Sequence, residues 1–316
     1  MKYLILFSLS LNFFNSFAQV KEELEVYNYY ILHEENEPKC GFVVLSDAFP
    51  YADYQTENII APENLGEFEY TNDNYHEVKG VYRERFLNEL SIKDSDILFV
   101  NNLNQNKVSS FKVIDLKLTA HLTPYGPNSP IENWDYLIGF ELDSTQLPFK
   151  TPETYNQTIF SCVAAENPFN AGKAVEMIWE KVDTSEFIWQ LTPEEKPKYM
   201  LPETRKDVYR FNWDGKNFYV QEVQTRENMF GYHLVVADEN SNKKISSAFF
   251  FESESTYLQP LNGQKNSWAT LQFTGFVFKN KSPIIYGFQS HSFGCPYVSF
   301  ADKNEKSIWL KCDNRH

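Results

Sequence analysis

A proline-stiffened stretch in the first half of the chain carries the side chains best suited to hold a ligand. A stiff loop loses less conformational entropy on binding. Its aromatic rings can stack on the flat face of a sugar, and its Asn and Asp side chains can hydrogen-bond hydroxyl groups. The competing interpretation is a loop held in place by its own aromatic side chains. The candidate ligand-binding residues are Tyr125, Asn133, Trp134, Asp135 and Tyr136.

Four cysteines offer covalent chemistry, and their even number predicts two disulfides in an exported chain. With residues 302–305 as a four-residue hairpin loop, Cys295 lies opposite Cys312. Directly opposed residues of antiparallel strands have Cα atoms about 4.5–5.5 Å apart, which a disulfide can span. The same register places Val298 against Trp309. We therefore predict a Cys295–Cys312 bridge.

The other two cysteines, Cys40 and Cys162, are predicted to pair by elimination, and the alternative is two buried thiols. A catalytic role for Cys295 with His291 is disfavoured. Their four-residue spacing suits a helix, whereas the surrounding residues indicate extended structure. An oxidising compartment also tends to consume a reactive thiol.

Sequence frames typical of catalysis or of metal binding are missing. None of the six histidines lies in a G-x-S-x-G or H-E-x-x-H frame, and C-x-x-C pairs and glycine-rich phosphate loops do not occur. We therefore predict no catalytic residue, no metal and no cofactor. An acid/base pair of carboxylates assembled across strands stays open, because 43 Asp and Glu residues provide many candidates.

The charge of the chain disfavours anionic partners. Its formal net charge is −14, and no Lys/Arg cluster reverses that charge locally. Nucleic-acid phosphates and anionic lipid surfaces would both be repelled. We therefore predict no nucleic-acid partner.

Residues 1–18 have the pattern of a secretory signal peptide. A basic start precedes a short apolar run, and Ser16 and Ala18 provide the small residues of a cleavage site. The run is too short and too polar for a membrane span of about 20 apolar residues. We expect a mature chain that begins at Gln19, has no transmembrane anchor, and is secreted or periplasmic.

Alternating runs rich in Val, Ile, Phe and Tyr predict a mainly β fold of antiparallel sheets, sandwich- or meander-like. An α+β fold is the second choice and a propeller the third. One helix is predicted near residues 75–90, where apolar residues recur at three- and four-residue steps. The predicted N-terminal strands are Glu25–Leu32, Gly41–Leu45, Asp96–Val100, Ser110–Leu122, Tyr136–Leu142, Thr158–Ala164 and Val175–Val182.

Consecutive hairpins are predicted in the second half of the chain. Asp214-Gly215 is a two-residue turn signal that pairs Phe211 with Phe218 and Tyr209 with Val220. A second hairpin is predicted to join residues 232–237 to 245–252, and a third to join 271–278 to 284–288. The proline-rich residues 193–206 indicate a linker between an N-terminal domain, 19–192, and a C-terminal domain, 207–316.

These features favour an exported, non-catalytic binding or surface-interaction protein whose target is a glycan or another protein. The alternative is a secreted hydrolase that uses a carboxylate pair assembled across strands. A structural component of the cell envelope is the third hypothesis. A concave pocket with two carboxylates of shifted pKa would favour the enzyme, and a shallow aromatic patch would favour binding.

Overall fold

The structure is a computed structural model that describes residues 24–34, 37–45, 75–122, 136–143, 158–189, 202–225, 230–261, 271–292 and 294–312. The first half contains β1 (Val26–Tyr27), β2 (Tyr29–Glu34), β3 (Glu37–Val44), β4 (Tyr75–Glu77), α1 (Gly80–Glu89), β5 (Ile97–Asn102), β6 (Lys107–Lys112), β7 (Lys117–Leu122), β8 (Tyr136–Asp143), β9 (Ile159–Ala164), β10 (Val175–Glu176) and β11 (Glu180–Val182). The second half contains β12 (Pro202–Trp213), β13 (Lys216–Thr225), β14 (Phe230–Asp238), β15 (Lys244–Phe251), β16 (Thr256–Leu258), β17 (Phe273–Thr274), β18 (Ile284–Ile285), β19 (Gln289–His291), β20 (Tyr297–Phe300) and β21 (Ile308–Lys311).

The predicted mainly β fold is confirmed. The strands form a seven-stranded sheet in the order β18-β20-β21-β1-β9-β5-β6 and a five-stranded sheet in the order β2-β3-β8-β7-β4. A second five-stranded sheet has the order β11-β12-β13-β14-β15 and is called the meander sheet below. Two further sheets have two strands each, and among the described strands only β1 and β21 pair in parallel.

The predicted helix is shorter than residues 75–90. Its first residues form β4, which pairs with β7, so the helix begins only at Gly80. Gly80 has a φ of +56°, a conformation that turns the chain sharply between strand and helix. Phe86 and Leu87 are buried against the core. Pairing with β7 therefore makes residues 75–77 a strand, although their spacing is helical.

The hairpin at Asp214-Gly215 is confirmed in its register. Phe211 pairs with Phe218, and Tyr209 pairs with Val220. Asp214 and Gly215 have φ values of +50° and +67°, as the two-residue type I′ turn requires. The paired side chains share the face of the meander sheet that packs into a core with Trp179 and Phe288, among others.

The next two predicted hairpins have different outcomes. The hairpin of β14 and β15 is confirmed over its length. The predicted pairing of residues 271–278 with 284–288 is reduced to a bridge between Phe273 and Tyr286. Here β17 pairs with β10, and β18 pairs with β20, because distant strands compete for the same edges.

The predicted bridge between Cys295 and Cys312 is present, with Cα atoms 5.5 Å apart. The predicted register of its hairpin is wrong by one residue, since Val298 pairs with Ile308 rather than with Trp309. The observed register directs Val298 and Ile308 to the core and leaves Trp309 64% exposed on the other face. Burial of the apolar pair therefore sets the register.

The second predicted bridge, Cys40–Cys162, is not formed. Both residues are buried thiols that take part in no disulfide. Cys40 lies in β3 between β2 and β8, whereas Cys162 lies in β9 opposite Phe99 of β5. Pairing by elimination failed because the two residues belong to different sheets. Burial raises the pKa of Cys162 well above its usual value, which keeps this thiol protonated.

Strands from both sides of the predicted linker share sheets. β1 pairs with β21, β10 with β17, and β11 with β12, so three ladders cross residues 193–206. Residues 193–201 lie outside the described residues, whereas 202–206 begin β12. The division into two domains stays a prediction. Pro202 stands at the first position of the strand, which is where a sheet tolerates proline.

The predicted signal peptide, residues 1–18, lies outside the described residues. Within the part of the chain that the structure describes, no helix has the length and apolar character needed to cross a membrane.

Candidate ligand-binding groove

The ligand site predicted from sequence is described only at its edge. Tyr125, Asn133, Trp134 and Asp135 lie outside the described residues, and Tyr136 is the first residue of β8. β7 and β8 pair along their lengths, so the predicted flanking strands do bring the two ends of this stretch together. The binding role of the five residues stays a prediction.

A groove of about 290 Å³ opens at one end of the meander sheet. It lies where β13 ends, β14 begins and β15 ends, and its size is near the lower limit of small-molecule sites, about 300 Å³. This meander groove is lined by Lys206, Glu222, Phe230, Gly231, Tyr232, Glu252, Leu258 and Pro260.

Glu222 reaches the groove because of the two-residue period of β13. Phe218, Val220 and Glu222 lie on one face of the strand, and the first two are fully buried in the core. Glu222 continues this apolar face at the strand end, where it is half-buried. It pairs with Tyr232 of β14. A carboxyl group therefore stands where the strand pattern calls for an apolar side chain.

A β-bulge in β12 brings two more charged residues to this carboxyl group. Arg205 pairs with Val223 and Val208 with Gln221, so Lys206 and Asp207 together oppose the single residue Glu222. Bulges are common next to functional sites because they redirect side chains. The bulge thus brings one ammonium and one carboxyl group close to Glu222, and of these two Lys206 lines the groove.

The aromatic wall of the groove is Phe230, whose side chain is 43% exposed. The Lys206 ammonium nitrogen lies 4.3 Å from the centroid of this ring, a cation–π contact. The Glu252 backbone amide donates to the Phe230 carbonyl oxygen at 3.0 Å, which holds the two backbones together at the groove that both residues line. A Cβ atom on Gly231 would collide with the Phe251 ring, so glycine lets the strands approach here.

Burial raises the pKa of the Glu222 carboxyl group above its usual value, and the nearby Asp207 carboxylate adds to the rise. The ammonium groups of Lys206 and Lys181 oppose the rise. Burial also raises the pKa of Tyr232, and Glu222 adds to that effect, so the phenol stays protonated. A cation that approaches Glu222 would therefore favour the ionised form of this carboxyl group.

The Tyr286 and Phe288 region has a second, far smaller cavity of about 20 Å³. Its wall includes His291, whose Nδ1 atom lies 3.1 Å from the Thr256 hydroxyl oxygen. Burial lowers the pKa of His291 and favours the neutral ring. A space of this size holds about one water molecule, so it suits no larger ligand.

The described residues include no group of three or more His, Cys, Asp or Glu side chains placed to hold a metal ion. Sequence reasoning missed the meander groove. The available signal was the alternation of Phe218, Val220 and Glu222, which puts a carboxyl group on a core-facing strand face. No protein-family model, curated protein or solved structure matches this chain.

Proposed function

We propose that this chain is an exported, secreted or periplasmic, binding protein and that its meander groove holds a sugar unit of a glycan. The observation that carries the proposal is the half-buried Glu222 carboxyl group beside the exposed Phe230 ring in one groove. A sugar has an apolar face that stacks on an aromatic ring and hydroxyl groups that donate to carboxylates. Glu252 supplies a second acceptor at the same wall.

Export is supported by the signal pattern of residues 1–18 and by the Cys295–Cys312 bridge, since disulfides persist in oxidising compartments. The rim of the groove is also suited to an extended ligand. Pro260 is exposed and Leu258 is half-buried, and both line the groove. A glycan can therefore continue past the sugar unit that is bound between the carboxylates.

A glycan array tests the proposal with three alanine variants of the exported protein. Phe230→Ala should weaken binding about tenfold, because it removes the stacking surface. Trp309→Ala is the matched control, since this exposed aromatic residue lies in the seven-stranded sheet. Trp134→Ala tests the loop predicted from sequence. If Trp134→Ala lost binding and Phe230→Ala kept it, the site would lie in that loop. If the wild-type protein bound no glycan, the proposed function would be refuted.

A hydrolase is the second candidate, favoured by the raised pKa of Glu222 near Glu252. A general acid needs a carboxyl group that stays protonated near the working pH. Incubation of the wild-type protein with a bound oligosaccharide decides between the two functions. Products that form with wild type but not with Glu222→Gln would establish the enzyme. An intact oligosaccharide after prolonged incubation supports binding without catalysis.

A further inference from the structure

The charge of the meander groove points to the chemistry of its ligand. Glu222 and Glu252 line it, and the single ammonium among its lining residues belongs to Lys206. On the premise that the groove binds a glycan, we propose that this glycan carries a primary ammonium group, as glucosamine does without its N-acetyl group. This ammonium takes the place of the Lys206 ammonium over the Phe230 ring.

The Lys206–Phe230 contact is the first support. The ammonium nitrogen lies 4.3 Å from the ring centroid, well inside the distance of about 6 Å at which such contacts are favourable. The protein's own side chain therefore marks a position where a primary ammonium group is stable. Lys206 is a flexible side chain on a bulge, and it can leave this position without disturbing the β12 ladder.

The second support is the negative charge around that position. The bulge places Lys206 and Asp207 opposite Glu222, and Lys181 pairs with Asp207 through a hydrogen-bonded ion pair. Both partners of this ion pair are substantially exposed, so water screens it. Glu222, which is half-buried, and Glu252 are left to face the groove. A ligand cation is attracted by both carboxylates, whereas a ligand carboxylate or phosphate would be repelled.

Lys206 and the ligand ammonium then compete for one position. This competition fixes whether replacing Lys206 raises or lowers the affinity for the ligand. Lys206→Met keeps most of the side-chain length and removes the charge. It removes the competing ammonium from the ring and makes the groove more negative. Affinity for an amino sugar should therefore increase, whereas affinity for an N-acetylated sugar, which carries no charge, should change little. If Lys206 instead contacted the ligand directly, Lys206→Met would lower the affinity for the amino sugar.

Titration calorimetry at about pH 6 tests this with three sugar tetramers of equal length. The glucosamine tetramer is cationic, because its amines are protonated at this pH. The tetramers of N-acetylglucosamine and of glucose are uncharged. The glucosamine tetramer should bind about tenfold more tightly than the others. Lys206→Met should raise its affinity about threefold, and Glu222→Gln should lower it about tenfold. Lys243→Met and Glu239→Gln are the matched controls, because both are exposed at the opposite end of the meander sheet.

The outcomes separate this inference from the proposed function. Equal binding of the three tetramers, sensitive to Phe230→Ala, would retain the glycan function and overturn the ammonium inference. Weaker glucosamine binding by Lys206→Met would also overturn it, because Lys206 would then be a ligand contact. Absence of binding by every tetramer and by the glycan array would refute both. Circular dichroism of each variant verifies that the fold is intact.

Discussion

The position of Glu222 lowers the stability of the folded protein, because an ionised carboxyl group is unfavourable where it is partly buried. It occupies the face of β13 on which Phe218 and Val220 are buried, and its pKa is raised because burial disfavours the ionised form. Binding residues are commonly less than optimal for stability, since the property that serves the ligand is unfavourable in its absence. The effect of Glu222 on stability can be measured without a ligand.

Glu222→Gln should stabilise the protein at about pH 8, by less than about 1 kcal/mol because the side chain is partly exposed to water. The folded-state pKa lies above the unfolded-state value. Wild type therefore loses stability as the pH rises from the unfolded pKa through the folded pKa, and the loss persists above that range. The charged groups acting on this carboxyl group are Asp207, Lys206 and Lys181.

Urea unfolding at about pH 3 and about pH 8 measures this effect, and the advantage of the variant should shrink at the lower pH, where the Glu222 carboxyl group is mostly protonated in both states. Glu239→Gln is the control, since this exposed residue lies at the other end of the sheet. A wild-type protein more stable than Glu222→Gln at the higher pH would contradict the raised pKa.

Gln272 positions the chain segment that borders the groove. Its buried side chain accepts a hydrogen bond from Trp179 Nε1 at 3.2 Å and donates to the Gly287 carbonyl oxygen at 3.1 Å. It also donates to the carbonyl oxygen of Pro260, a lining residue, at 3.5 Å. Gln272→Met should lower the free energy of unfolding by about 1–3 kcal/mol, because buried polar groups lose a partner. Thermal denaturation that leaves the melting temperature unchanged would contradict this role.

Elements whose signals are local could be predicted from sequence, and those that depend on distant partners could not. Asp214-Gly215 fixes its hairpin register through the conformations of two adjacent residues. The terminal hairpin was predicted one residue out of register, because its turn lacks such a signal and the burial of Val298 against Ile308 decides. The groove depends on the bulge at Lys206 and on a later segment near Pro260, and neither has a sequence signature.

The Cys295–Cys312 bridge closes the terminal hairpin, with the two cysteines 17 residues apart. In the chain-entropy model, closing a loop of this length stabilises the fold by about 3 kcal/mol. Replacing both cysteines with serine should therefore reduce the free energy of unfolding by roughly that amount. Wild type unfolded under reducing conditions is the control and should match the variant. Equal stability of oxidised wild type and variant would contradict the constraint.

At the scale of the whole molecule, the two ends of the described chain lie side by side. β1 near the N-terminus pairs in parallel with β21 near the C-terminus, and both belong to the seven-stranded sheet. Its core includes residues from both halves, such as Val26, Phe160 and Leu310. The proline composition of residues 193–206 is a local signal, whereas this pairing joins Val26 to Leu310, about 280 positions apart.

The proposed export makes a prediction for the whole chain. The exported protein should begin at Gln19, and non-reducing peptide mapping should link Cys295 to Cys312 and leave Cys40 and Cys162 as thiols. Intact-mass spectrometry measures the first residue and the number of disulfides. A retained Met1 would contradict export, and a Cys40–Cys162 link would contradict the separation of these residues into two sheets.

The most direct test of the meander groove is a crystal structure of the protein grown with the glucosamine tetramer at about pH 6. We expect one amino sugar against the Phe230 ring, its ammonium within hydrogen-bond distance of Glu222 or Glu252, and the Lys206 side chain moved away from the ring. A sugar bound at residues 123–135, with the groove empty and Lys206 still over Phe230, would contradict the account.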